Sequence, residues 1–204
     1  MDRTRASWCN TTHDWAAAVD HDHLAAIRSA PHSYAPGGTA HLLLEVLAYA
    51  ADEAECNGGG RAVVTLHPDG SVSVADDGRG TDTRFDGAGR PVKKPVMATK
   101  DLRFFDVPAP PPLPDGHPRR GMSVVAALSE RLTHTNRRRN GSWTQRYEHG
   151  VPVTDLDPAP DAATTGTTVH FHPTTGPLTA EQAQEARGGW PSYLTIEIED
   201  RTTG

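Results

Sequence analysis

The chain has 204 residues, a length that suits one domain with a buried core. Its formal net charge of -6 at pH 7 argues against a general nucleic-acid-binding surface, which is normally basic. No apolar run approaches the ~20 residues that span a bilayer, and no apolar stretch follows the charged start Met1–Arg5 as in a signal peptide. Two cysteines fit a reducing compartment, so we expect a cytoplasmic protein without direct nucleic-acid or membrane partners.

The N-terminal part of the chain changes character near residue 20. Residues 1–19 are polar and predict an arm that is at least partly disordered, through which a homodimer could form. Residues 20–204 are expected to fold as a single domain. Asp20 is expected to cap a short helix, and Thr39 to cap a long one whose apolar residues recur at helical spacing before a run of glycines ends it.

Strands and a long loop follow these helices. Residues 61–67 and 71–75 flank a Pro-Asp-Gly turn and predict a hairpin, whereas residues 81–118 are rich in proline and glycine and predict a lid or an irregular segment. The rest of the chain predicts five further elements. They are a helix at 122–128, a hairpin at 132–148, a strand at 167–172, a capped short helix at 179–188 and a last strand at 193–198. The sum is an α+β fold: an α/β sandwich with a mostly antiparallel mixed sheet covered by helices on one face.

Several motifs stand in a fixed order on these elements. Glu45 lies in the long helix, Asp76-Asp77-Gly78-Arg79-Gly80 follows the hairpin, Tyr147-Glu148-His149-Gly150-Val151-Pro152 follows a strand, and Thr165-Gly166-Thr167 opens another. In this order the segments resemble the N-terminal ATPase domain of the DNA gyrase B subunit, in the GHKL (Bergerat-fold) ATPase family. The resemblance covers most of the chain from about residue 20.

The resemblance implies a nucleoside-binding half of the site. Asp76 would accept a hydrogen bond from the adenine amino group, since a carboxylate is an acceptor-only group. Gly80, which lacks a Cβ, would let the backbone approach the base, and Thr167 would share a water with Asp76. The walls of the adenine slot would be Val46, Val74, Met122 and Val169. The resemblance also matches Arg79 and Glu53 to a structural ion pair.

The phosphate half departs from the family. Glu45 matches the general base, but Tyr49 stands where the family has an asparagine that ligates Mg²⁺. A neutral phenol is a poor substitute for the hard oxygen ligands that Mg²⁺ prefers. These two residues are the catalytic candidates; ATP or ADP stays open as a ligand, and the Mg²⁺ site is called into question. No other metal site is expected, because His170 and His172 lack an evident third ligand.

The glycine-rich phosphate loop of the family is replaced by residues 115–121. Pro118 contributes no N–H donor there, although Arg119 and Arg120 could bind an anion through charge-assisted hydrogen bonds. Arg138 lies near the position of an arginine that contacts coumarin antibiotics in gyrase B. It is therefore included among the candidate ligand-binding residues.

Three functions remain open on these grounds. The first is a degenerate GHKL domain that binds a small ligand, an adenine nucleotide or another organic molecule, with Mg²⁺-ATP hydrolysis lost. The second is an enzyme of secondary metabolism that uses the old pocket for a non-nucleotide substrate. The third is a self-resistance or decoy protein that binds a gyrase inhibitor or gyrase itself. The fold alone does not choose between them.

Overall fold

A computed structural model describes residues 19–81, 84–85, 87, 91–92, 95–105, 107–139, 141–160 and 164–202. The predicted arm at 1–19 lies outside the described residues except for Val19, which packs against the core. Parts of the predicted lid at 81–118 also lie outside them. No helix in the described ranges is long and apolar enough to cross a bilayer.

Five α-helices are described, and the longest carries the two catalytic candidates, Glu45 and Tyr49. Their bounds are α1 His21–Ser29, α2 Pro31–Tyr34, α3 Thr39–Asn57, α4 Met122–Ala127 and α5 Ala180–Glu185, with a 3₁₀ turn at Pro95–Met97. The Asp20 side chain accepts from the N–H of His23 at 3.0 Å, which confirms the predicted cap of α1. Thr179 and Gln182 form the predicted capping box of α5.

The predicted cap of α3 is wrong by one residue. Gly38, with φ of +60°, is the N-cap, and Thr39 is the first helical residue. The Thr39 hydroxyl instead bonds the Thr175 hydroxyl at 2.8 Å and the Gly176 carbonyl at 2.5 Å. The hydroxyl therefore ties the start of α3 to the loop after the sheet rather than capping its own helix.

The main sheet has eight strands and is antiparallel except for one pair. Its order is β10-β1-β2-β9-β5-β6-β7, with β8 paired to β6, while β3 and β4 form a separate ribbon. The bounds are β1 Gly60–Leu66, β2 Val72–Asp76, β3 Arg84–Phe85, β4 Pro91–Val92, β5 Ser129–Arg137, β6 Trp143–Glu148, β7 Val151–Pro152, β8 Asp157–Pro158, β9 Gly166–Pro173 and β10 Leu194–Asp200. Strands β1 and β10 run parallel. This architecture confirms the predicted mixed sheet and α+β class.

One face of the sheet packs against the helices, and that packing positions the site. Val74 of β2 lies opposite Val169 of β9, and both are buried in one core cluster with residues of α3 and α4. Alternate residues such as Ser73 and His170 therefore point to the other face. As a result, β2 and β9 deliver Asp76 and Thr167 to the same edge of the sheet.

Candidate functional site

Asp76 is held at the end of β2 by two backbone N–H groups. Its Oδ1 accepts from Gly78 at 2.9 Å and from the backbone of Thr167 at 3.2 Å. Burial raises the pKa of the Asp76 carboxyl to about 6, although these two N–H groups work in the opposite direction. Thr167 is therefore bonded to Asp76 directly, through its backbone N–H, whereas the resemblance implied a shared water.

The turn after Asp76 is fixed by residues of β5 and the turn that follows it. Gly80 adopts φ of +77°, and its carbonyl accepts from the Arg138 guanidinium at 2.9 Å. Asn136, fully buried, accepts from the N–H of Thr81 at 2.6 Å and donates to its carbonyl at 3.1 Å. No pattern in the sequence pointed to Asn136, and the Arg138 side chain lies beside Gly80.

We expect alanine substitutions at Gly80 and Gly70, two glycines with nearly the same φ, to lower the stability by different amounts. A Cβ at Gly80 would lie 2.6 Å from the Arg137 carbonyl oxygen and 2.8 Å from Asn136 Oδ1, whereas one at Gly70 (φ +80°) would meet nothing within 4 Å. Gly70→Ala should therefore cost ~1–2 kcal/mol for the left-handed conformation alone. Gly80→Ala should cost roughly 3 kcal/mol or more, measured by chemical unfolding. Equal losses in the two variants would contradict this geometry.

The four predicted wall residues are buried in the core. Their exposed fractions are 4%, 2%, 3% and 4% for Val46, Val74, Met122 and Val169. Val74 and Val169 stand two residues from Asp76 and Thr167, on paired strands. Apolar side chains thus line the helix-facing side of this edge.

Glu45 lies in the middle of α3 and is completely buried. Its two carboxylate oxygens accept hydrogen bonds from the backbone N–H groups of Arg120 and Gly121, at 2.5 and 2.7 Å. These donors belong to the segment that replaces the phosphate loop and leads into α4. The candidate general base is therefore bonded to the loop rather than open to a water.

A histidine that the sequence analysis missed lies behind Glu45. His41 is fully buried, its Nδ1 is 2.6 Å from Asp115 Oδ2, and its Nε2 is 3.5 Å from Glu45 Oε1. Nε2 has no hydrogen-bond partner among the described residues, so its link to Glu45 is electrostatic. Burial lowers the pKa of His41, but the two carboxylates outweigh it and raise that pKa overall. The i, i+4 spacing of His41 and Glu45 was the available signal.

Tyr49 lies one turn beyond Glu45, on the same face of α3. Its hydroxyl donates to Asp101 Oδ2 at 2.7 Å, and Arg103 donates to both oxygens of the same carboxylate at 3.0 and 2.7 Å. Burial, followed by the charge of Asp101, raises the pKa of the Tyr49 phenol well above its ordinary value. Tyr49 thus remains a neutral donor, a state that does not suit Mg²⁺ ligation.

Arg119 completes this cluster from the loop side. Its guanidinium donates to the Asp52 carboxylate at 3.0 and 2.8 Å, and it lies 4.6 Å from the Tyr49 ring and 4.4 Å from the Phe104 ring. Stacking and ion pairing together account for its burial. The Arg120 guanidinium lies 5.7 Å from the Phe105 ring, so the two candidate anion-binding arginines point to different neighbours.

The predicted charge pair of Arg79 and Glu53 is present near the C-terminal end of α3. Arg79 donates to both oxygens of Glu53 at 3.1 Å, which confirms the pairing that ties the Asp-Gly turn to the helix. Because both side chains are partly exposed, the pair contributes only ~0–1 kcal/mol.

The residues in the phosphate half do not fit a Mg²⁺-nucleotide. In the described part of the chain, no group of three His, Cys, Asp or Glu residues could hold a metal ion. The Asp52 and Asp101 carboxylates are engaged by Arg119 and Arg103. The arrangement instead cross-links α3 to the segment that precedes α4.

The sequence of this chain is similar to the B subunits of known DNA gyrases and DNA topoisomerase 4. The chain is 34% identical to the B subunit of DNA topoisomerase 4 from Bacillus subtilis over 155 residues, covering 74% of this chain and 24% of that protein. It is 35% identical to the DNA gyrase B subunit of Haloferax volcanii over 174 residues, covering 75% and 25%, and 36% identical to the DNA gyrase B subunit of Mycolicibacterium smegmatis over 152 residues, covering 72% and 22%.

The chain is a homologue of the gyrase and topoisomerase B subunits. No protein-family model matches it. The homology and the mixed sheet together assign a GHKL-like α/β sandwich to this gyrase B homologue. The chain spans about a quarter of the length of these relatives.

Proposed function

We propose that this gyrase B homologue is a small-ligand-binding domain that keeps the adenine-recognising edge and has lost Mg²⁺-dependent ATP hydrolysis. The observation that carries the proposal is the contrast between Tyr49 on α3 and Asp76 at the end of β2. Tyr49, in the place of a metal ligand, donates its hydroxyl to Asp101 at 2.7 Å, whereas Asp76 keeps a backbone-fixed carboxylate at the base edge. The partner would be a small organic molecule, not a nucleic acid or a membrane.

The state of Asp76 supports a binding role for this edge. A buried carboxyl whose pKa is raised to about 6 is ionised at neutral pH only at a cost in stability. A ligand N–H donor would offset that cost, because a hydrogen bond to a charged group contributes ~1.5–3 kcal/mol. The edge therefore suits a heterocycle with an amino or N–H group, such as adenine.

A thermal-shift screen tests the proposal directly. Adenine, adenosine, ADP, ATP with and without Mg²⁺, and novobiocin-like inhibitors would be compared at equal concentration. A ligand at 100 times its Kd adds about 2.7 kcal/mol to the stability by mass action. Stabilisation by any of the adenine compounds, lost in Asp76→Asn, is the expected result. A coumarin response that needs Arg138 would favour the self-resistance function, and no response from any compound would count against ligand binding at this edge.

The line of contacts from exposed Asp115 through buried His41 to buried Glu45 favours one second candidate, an enzyme acting on a non-nucleotide substrate. A histidine between two carboxylates can bind a proton and transfer it to another group, as general acid–base catalysis requires. For that function, Glu45 must give up its hydrogen bonds to the Arg120 and Gly121 N–H groups and contact a substrate instead. A product formed by the wild type and not by His41→Gln would favour it.

A further inference from the structure

The loop before α4 offers two backbone donors, and the protein itself uses both. The N–H groups of Arg120 and Gly121 point at the two oxygens of Glu45, at 2.5 and 2.7 Å. Charge-assisted hydrogen bonds of this length are the strong class, and the carboxylate is completely shielded from water. Glu45 thus bonds this loop as a bound anion would.

Two arginines near this loop, Arg119 and Arg103, are neutralised by carboxylates of the chain itself. Arg119 makes a two-point ion pair with Asp52, and its Nε is buried without a hydrogen-bond partner in the described structure. Arg103 makes a two-point pair with Asp101 and reaches Asp52 at 3.4 Å. A ligand phosphate would have to break these pairs to recruit Arg119 or Arg103.

The buried carboxylate of Glu45 would repel a phosphate. Glu45 is completely buried beside the loop. Like charges at short distance in a water-poor region disfavour each other strongly. An incoming phosphate would meet a carboxylate where it needs the Arg120 and Gly121 N–H groups.

We infer that Glu45 is an internal anion that seals the phosphate half of the site, so that the site takes an unphosphorylated, uncharged heterocycle and rejects its phosphate esters. This inference rests on the proposed function for the ligand class, but the sealing by Glu45 can be measured without any nucleoside. Each added phosphate lowers affinity, because the N–H groups of Arg120 and Gly121 become free only when Glu45 is displaced.

The first arm of the test follows the two amides by NMR, with pyrophosphate as the probe. In the wild type, the Arg120 and Gly121 amides should be protected from hydrogen exchange and unmoved by millimolar pyrophosphate. Glu45→Ala should speed their exchange by about 10- to 100-fold, the equivalent of a lost charge-assisted bond, and should make both amides respond to pyrophosphate. Glu45→Gln, which keeps the side-chain volume, should show the same direction with a smaller change. Glu55→Ala, an exposed position on the same helix, serves as the control and should leave both amides as in the wild type.

The second arm compares adenosine with ADP in the absence of Mg²⁺. Wild-type protein should bind adenosine at least ~10-fold more tightly than ADP, and Glu45→Ala should reduce that ratio about tenfold. Wild-type amides that exchange as fast as in Glu45→Ala, or that respond to pyrophosphate, would overturn the inference, as would ADP binding as tight as adenosine. Protected amides with no binding of either compound would leave the internal anion standing and refute the proposed nucleoside edge instead.

Discussion

Mg²⁺-dependent ATP hydrolysis by this chain is expected to remain at the buffer background, ~10²-fold or more below that of a gyrase B protein that retains the asparagine and the free glutamate. Two features act together. Tyr49 replaces an oxygen ligand and donates to Asp101, and Glu45 has both oxygens bonded to the loop. Phosphate release would be followed by a coupled assay over several hours with a matched gyrase B domain alongside.

Restoring one residue should not restore turnover. Tyr49→Asn supplies an amide oxygen, but Glu45 would still be bonded to Arg120 and Gly121. We therefore expect background rates for Tyr49→Asn as well. Wild-type turnover close to that of the gyrase B domain, abolished by Glu45→Gln, would refute the loss of hydrolysis.

Replacing Asp76 by asparagine is expected to weaken ligand binding and to strengthen the ligand-free fold. Affinity for an amino-bearing heterocycle should fall about 10- to 100-fold, since a hydrogen bond to a charged group is lost. Unfolding free energy at pH 7.5 should rise by about 1–3 kcal/mol, because the folded-state pKa of about 6 is some two units above the ordinary value. The asparagine oxygen can still accept from Gly78 and Thr167.

The sign of the pH dependence follows from that raised pKa. Between about pH 4 and pH 6 the folded protein holds a proton on Asp76 that the unfolded chain has released, so stability falls as pH rises through this window. Asp76→Asn should lack this decline, and its advantage over the wild type should vanish near pH 4. Urea unfolding across this range measures it, with Asp77→Asn at the exposed neighbour as the control. If the gain in unfolding free energy of Asp76→Asn over the wild type does not change with pH, the pH dependence does not come from Asp76.

The fold and the proximity of Asp76 to Thr167 could be predicted from the sequence because the signals for them are local. Alternation along β2 and β9 and the Asp-Gly turn fix which residues face the core, and the family resemblance then brings Asp76 and Thr167 together. Arg79 and Glu53 were likewise predicted as a pair and found as one.

The contacts of Glu45 and His41 were harder to predict from the sequence because they join distant segments through irregular loops. His41 contacts Asp115 across 74 residues of the sequence. No periodicity encodes such a contact. The partners of Glu45 are backbone N–H groups, which every residue except proline carries, so sequence letters do not mark them. Thr39 was misplaced because the side-chain rule for helix caps ignores competing partners such as Thr175.

The parallel pairing of β1 with β10 has a consequence for how the chain reaches its structure. Gly60 stands opposite Leu194 and Leu66 opposite Asp200, so the sheet joins segments that are synthesised more than 130 residues apart. The hairpin of β1 and β2 can form early, but on the ribosome its outer edge stays unpaired until β10 has emerged. Long-range closure of this kind slows folding and exposes a strand edge in the meantime. Arg61 on β1 and its partner Glu197 on β10 are exposed charges that disfavour pairing of these strands with other chains during that interval.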